Sequence, residues 1–252
     1  MGTSTSSRGP GGDSPLVPPW ADKDGQGPGP IPPPQRFKEF RKSLGKFVSG
    51  GNHSDLRAAL GKYAGTATGG NTVGPRRFGS MAHAGGALFD ALTGSQDGRE
   101  TPSLDLTTLN GQDTDLAIDI IIRALLPNDG DDDRIRIAMN EALSECLDGY
   151  AEFDFSHITD EMLVQMMLAY VGRCVFGQVV LDSKDAFARA ESSAQAETAE
   201  ADLLALVEAA TDKHMRPLLS GNVRMFNRTQ IADAQLRAIT EVWTEWEAYL
   251  HD

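Results

Sequence analysis

Cysteine is nearly absent, with Cys146 and Cys174 the only two among 252 residues. Both sit inside apolar helical patterns, where buried reduced thiols are expected rather than a disulfide or a metal site. The five histidines, His53, His83, His157, His214 and His251, are dispersed. None stands three or four residues from another His or Cys, and no H-E-x-x-H, C-x-x-C or G-x-S-x-G occurs, so the familiar zinc, redox and serine-hydrolase chemistries lose their motifs. Aromatic residues are few, at 7%, although a 40% hydrophobic share suffices for a packed core. There is no charged-then-apolar leader and no apolar run of the ~18–20 residues that a membrane span needs, which predicts a soluble cytoplasmic chain. Alternating apolar and polar runs of strand type are missing too. The fold class predicted is all-α, a helical bundle behind a Pro/Gly-rich N-terminal tail.

Charge is distributed unevenly. Residues 1–34 carry a net −1, residues 35–93 a net +6, and residues 94–252 a net −18, giving the overall −13. An acidic body excludes general nucleic-acid binding, since phosphate contacts need clustered Lys and Arg. The basic segment can meet an anionic partner or dock on the chain's own acidic half, the second being preferred from complementary fields. Three regions follow: a disordered tail at 1–34, a basic helical region at 35–93 and an acidic helical bundle at 94–252.

The tail holds most of the chain's 13 prolines, with many glycines and serines. Such a stretch buries too little apolar surface to offset its ordering entropy. It still contains Leu16-Val17-Pro18-Pro19-Trp20, an apolar and aromatic cluster that reads as a partner-recognition motif, because prolines hold it extended at low entropic cost. At the front, Met1 precedes Gly2, so removal of the initiator Met leaves an unhindered glycine amine with a pKa of about 8. Met1-Gly2 with Ser6 also fits the short myristoylation pattern M-G-x-x-x-[ST].

Helical spacing organises the remainder. Phe37, Phe40, Leu44 and Phe47 form the stripe of a basic amphipathic helix whose other faces carry Arg36, Lys38, Arg41, Lys42 and Lys46. Ser54 is the expected cap of a second helix ending near Tyr63. Gly65 to Asn71 make a glycine-rich loop, which lacks the closing Lys-Ser/Thr and preceding strand of a phosphate-binding loop. Gly85-Gly86 allow close helix contact beside Met81, Leu88, Phe89 and Leu92. Further helices are predicted at Leu116 to Leu126, Ile135 to Leu147, Thr159 to Val175, Ser183 to His214, and from Thr229 to Leu250. The run from Asn128 to Asp133 lacks calcium-loop spacing, and its carboxylates are expected to oppose a helix dipole. Glu241, Glu245 and Glu247 near two tryptophans are the nearest thing to a carboxylate site, without the convergent partners that catalysis needs.

Several of these segments resemble the QatB family, one component of four-protein Qat anti-phage defence systems. The similarity runs through Gly2-Thr3-Ser4-Thr5-Ser6-Ser7-Arg8-Gly9-Pro10-Gly11, Ser14 to Trp20, Arg36-Phe37 to Phe47, Leu56 to Tyr63, and Thr68-Gly69-Gly70 with Arg76 to Ser80. It covers about the first 95 residues; the acidic half is similar in helical character. The resemblance implies a non-catalytic chain acting with an ATPase subunit, a QueC-like enzyme and a TatD-like nuclease. It further implies that the QueC-like partner joins a deazaguanine to the Gly2 amine, leaving a covalent adduct on a chain with no cofactor of its own. Thr3, Ser4, Thr5, Ser6, Gly9 and Pro10 would thread the partner's active site, with Leu16, Val17, Pro18, Pro19 and Trp20 binding a partner. A different reading is a membrane-tethered adaptor, with lipid on Gly2 and the basic helix as second anchor.

Overall fold

The computed structural model describes residues 14–21, 30–94, 104–126 and 131–251. Expectations for Gly2, Thr3, Ser4, Thr5, Ser6, Gly9 and Pro10 lie outside these residues. The described chain is all-α: α1 (Lys38–Val48), α2 (His53–Lys62), α3 (Gly79–Thr93), α4 (Thr114–Leu125), α5 (Asp132–Cys146), α6 (Asp160–Ser183), α7 (Ser193–Met215) and α8 (Arg228–Ala248). Among these residues the β content is one isolated antiparallel bridge, Asp113 to Glu152.

The periodic stripes become buried faces. In α1, Phe40, Leu44, Phe47 and Val48 are buried while Lys38, Lys42 and Lys46 face solvent. Helix starts differ from expectation where a better cap lies nearby. Asn52, not Ser54, caps α2: its Oδ1 accepts the amides of Ser54 and Asp55 at 2.9 and 3.3 Å, and Asp55 accepts the Asn52 amide at 3.2 Å. An extended backbone at Asn52 is what lets its side chain turn back onto the first turn. At α8 the reciprocal pair is Asn227 with Gln230, both bonds 2.9 Å, in place of the expected Thr229. Thr159 does cap α6, accepting the Met162 amide at 3.2 Å.

The long helix expected from Ser183 begins only at Ser193, because α6 itself runs through Ser183. Lys184 then takes a left-handed φ of 52°, and a short 3-10 turn, Phe187–Arg189, intervenes. No unbroken apolar run of the ~18–20 residues that a membrane span needs occurs in α6, which carries Gln165, Arg173 and Gln178. By length and overall composition α6 is still apolar enough to cross a membrane, with 61% of its most apolar window buried within the protein. Core helices of soluble proteins share that property.

The chain groups into two units that interleave in sequence. One comprises Met1–Arg77, Val175–Ala210 and Ile239–Asp252; the other Phe78–Cys174 and Thr211–Ala238. The change in charge after residue 93 does not coincide with this grouping. The second unit is built around close approach to α3. The Tyr170 hydroxyl donates to the Met81 carbonyl at 2.7 Å, and the Gln235 amide lies 3.9 Å from the Met167 sulfur. A β-carbon at Gly85 would run into Gln235 and Tyr170, and one at Gly86 into the Arg228 carbonyl. The Gly85-Gly86 step therefore sets how near α8 can come. Cys174 is buried here, its thiol pushed up to about 12 by burial.

Placing Val at position 86 should push against backbone rather than a yielding side chain. Gly86→Val is expected to lower stability by roughly 1–3 kcal/mol, the usual range for overpacking, read as an earlier midpoint in denaturant unfolding.

Candidate functional site

The first unit surrounds one buried carboxylate. Asp182, in the last turn of α6, is 0% exposed and Arg77 is 5% exposed. Arg77 reaches it with both terminal nitrogens, Nη1 to Oδ2 at 2.7 Å and Nη2 to Oδ1 at 3.3 Å. The Tyr63 hydroxyl donates to Oδ2 at 2.9 Å, and Arg41 Nε donates to the Asp182 backbone carbonyl at 2.8 Å. Burial works against the Arg77 charge, yet Asp182 outweighs it and holds the guanidinium above its ordinary pKa. Burial and then the Asp182 charge raise the Tyr63 phenol well above its usual value, so it acts as a neutral donor.

Local winding places Tyr63. It opens a π-helical turn, Tyr63–Ala67, that follows α2. Such turns hold one residue more than an α turn and often mark functional positions. Thr68 closes the turn, its hydroxyl 3.0 Å from the carbonyls of Tyr63 and Ala64, while accepting the Trp243 indole N–H at 2.8 Å. Phe40, Tyr63, Trp243 and Trp246 form a tilted aromatic row with centroid steps of 4.8, 5.8 and 5.2 Å. Gly74 is small because Trp243 occupies the place of its β-carbon.

The glycine-rich loop lies on α8. Glu247 accepts the Asn71 amide at 3.1 Å, and the Asn71 side chain donates to Thr244 at 3.0 Å. Glu247, one of the three carboxylates noted near the tryptophans, thus holds a loop. Glu245 accepts the Tyr249 hydroxyl at 2.8 Å.

Onto this loop folds the described end of the tail. Leu16, Val17 and Ala21 cluster with Val73. A β-carbon on Gly69, whose φ is +87°, would touch Leu16 at 3.1 Å, and Arg36 Nη2 donates to the Pro15 carbonyl at 3.3 Å. The sequence treats Leu16 to Trp20 as one partner-facing cluster; the structure divides it. Leu16 and Val17 point inward, 3% and 7% exposed, Pro18 is half-buried, and Pro19 is exposed with Trp20 at 42%. The segment from Pro15 to Ala21 is therefore seated on the chain's own body, and its outward face is Pro19 and Trp20.

Arg36 is the clearest surprise. Expected on a solvated face of α1, it is 3% exposed, because it reaches under the tail. Sequence reasoning likewise missed Arg41, Tyr63, Arg77, Asp182, Thr68 and Trp243 as one constellation. The pair Arg77 and Asp182 stands 105 positions apart, and nothing in either local pattern marks it. The basic segment does meet the acidic half here, through Arg41 and Arg77. Elsewhere, α1 and α2 flank a groove of about 740 Å³ whose lining includes Lys42, Lys46, Lys62, Arg189, Glu39 and Asp55. Among the described residues, no group of three or more His, Cys, Asp or Glu is arranged to hold a metal ion.

Removing the carboxylate tests the centre. Asp182→Asn leaves Arg77 charged and uncompensated inside the unit, and should cost about 3–5 kcal/mol, the range for breaking a buried ion pair. Chemical denaturation of the variant beside the parent reads this directly; a loss under ~1 kcal/mol would show the pair to be hydrated.

Comparison with known proteins bears on this geometry. No curated protein and no solved structure matches the chain. A family model described as Qat anti-phage system associated protein QatB matches residues 69–246. The matched stretch takes in Val73, Arg77, Asp182 and Trp243, and most of it lies in the acidic half, where sequence similarity rested on helical character alone. With well over half of its length matched in order, this chain belongs to the QatB family of proteins associated with the Qat anti-phage system.

Proposed function

We propose that this defence-system protein is a non-catalytic subunit whose N-terminal glycine is the site of modification, with the helical body as its platform. The observation that carries this reading is the seat of the tail. Pro15 to Ala21 are held by Arg36, Val73 and the glycine-rich loop, so the chain upstream starts from a fixed point. Twelve residue steps separate Gly2 from Ser14, and at ~3.3–3.6 Å per residue the amine can reach at most roughly 40 Å from that point. That is enough to enter a partner enzyme docked on the same body.

By resemblance, the partner is QueC-like, and its chemistry proceeds through an adenylated deazaguanine. Attack of the free Gly2 amine on the acyl-adenylate would form an amide and release AMP. Thr3, Ser4, Thr5 and Ser6, with Gly9 and Pro10 behind them, are small enough to follow the amine into a narrow site. Pro19 and Trp20, outward on an anchored segment, suit contact with the ATPase subunit or the QueC-like enzyme, and a TatD-like nuclease completes the proposed set. The proposed setting is cytoplasmic, where such ATP-dependent chemistry operates. The adaptor reading draws no support from α1: Phe37, Phe40, Leu44 and Phe47 are buried in the protein's own core, leaving no apolar face of that helix for lipid.

Mass spectrometry of the intact protein and its N-terminal peptide, made with and without the neighbouring gene products, checks the reading. An added mass on Gly2 that requires an active QueC-like partner is the expected result, abolished by Gly2→Pro. Unmodified Gly2 in a complete system that still defends the cell would overturn it. For the outward face, Trp20→Ala should weaken partner association by about 2 kcal/mol or more if the indole is an interface anchor. Unchanged affinity in a titration of the purified components would remove Trp20 from the interface.

A further inference from the structure

Three guanidinium groups surround Phe37 and Asp182 in the first unit, Arg77 and Arg41 bonded to Asp182 and Arg36 with Arg41 on the Phe37 ring. Asp182 is the one buried carboxylate among them. Arg77 and Asp182 neutralise each other. Arg36 and Arg41 then remain, their guanidinium carbons 4.6 and 4.8 Å from the centre of the same Phe37 ring. Asp185 also faces Arg41, but from an exposed position where solvent screens it. Hydrogen bonding is incomplete in the same place. Arg36 Nε and Nη1, Arg41 Nη2 and Arg77 Nε are all buried without an acceptor among the described residues. Buried donors normally find partners, and a buried charge without one is costly. The Arg36 charge is under evident pressure, its pKa brought down to about 10 by burial and then by Arg77.

We propose that Arg36 and Arg41, backed by Arg77, form a binding site for a small oxyanion of the phosphate class beneath the seated tail. Planar guanidinium donors suit phosphate oxygens, and one such anion would supply both the missing acceptors and the missing negative charge. Arg36 and Arg77 are the enclosed members and Arg41 is half-buried. With Arg36 3% and Arg77 5% exposed, the site takes an inorganic-sized anion in preference to an ester. Arg36 also holds the Pro15 carbonyl, so anion and tail share one side chain. This site is independent of the Gly2 reading, and its test does not involve the amine.

The test is calorimetric titration of the full chain with inorganic phosphate in a chloride-poor zwitterionic buffer, alongside thermal unfolding over the same concentrations. Saturable binding is expected, with a melting temperature that climbs with phosphate concentration as linkage requires. Arg36→Met keeps the stem over Phe37 and removes the charge; it should weaken binding roughly tenfold or more. Should that variant fail to fold, Arg41→Met, at a half-buried position, is expected to show the same weakening. Lys42→Gln, in the open groove, should leave the titration unchanged, and AMP should bind more weakly than free phosphate. No saturable binding up to tens of millimolar, AMP binding as tightly as phosphate, binding unaltered in Arg36→Met and Arg41→Met, or binding lost in Lys42→Gln would each overturn the site.

Discussion

The first unit depends on the Asp182 carboxylate and the Arg77 guanidinium that closes on it. Burying two charges is expensive, and their attraction offsets that cost only when geometry is good and the remaining donors and acceptors are filled. Here the acceptors of Asp182 are filled from separate stretches of chain, Arg77 after the glycine-rich loop, Tyr63 from the π turn and Arg41 from α1 through the Asp182 carbonyl, while Arg77 Nε stays open. A well-packed apolar set could be as stable. What the charges add is register, because each segment has one position from which its donor reaches. The aromatic row from Phe40 to Trp246 meets this frame at Tyr63, which belongs to both.

This also explains what could be read from the chain and what could not. Phe40, Leu44 and Phe47, or Met81, Leu88 and Phe89, announce their helices because burial repeats with the helical period. The Gly85-Gly86 step could be read for close approach because small residues in an apolar run have few other uses. Caps were harder, since Asn52 and Ser54, or Asn227 and Thr229, are chemically equivalent candidates, and local geometry chooses between them. The charged centre left no trace. Arg36 sits among basic residues that are mostly solvated, and Asp182 closes a helix in an acidic half, so each looks ordinary in its neighbourhood. Contacts between residues more than a hundred positions apart are tertiary facts, carried by no local period.

The tail shows the same limit from another side. Composition alone makes residues 1–34 one uniform segment, yet the described part divides by what lies beneath it. Leu16 and Val17 find an apolar seat at Val73, while Pro19 and Trp20 are exposed. Family membership rests on residues 69–246, which include Gly69 and Val73 of the seat but not Arg36. The seat of the tail, at Gly69, Val73 and Arg36, and the ionic centre, at Arg77, Tyr63, Arg41 and Asp182, belong to the same unit of the chain.

The π turn at Tyr63–Ala67 carries a constraint on how this protein can vary. Its extra residue lets Tyr63 face the carboxylate while Thr68, immediately after, faces the Trp243 indole. Losing any one residue from that turn would restore ordinary winding and swing the following chain by ~100° about the helix axis. Tyr63 could then not meet its acceptor while Thr68 met its donor, whatever side chains were chosen. Spelling within this turn is negotiable across descendants; its count of residues is not.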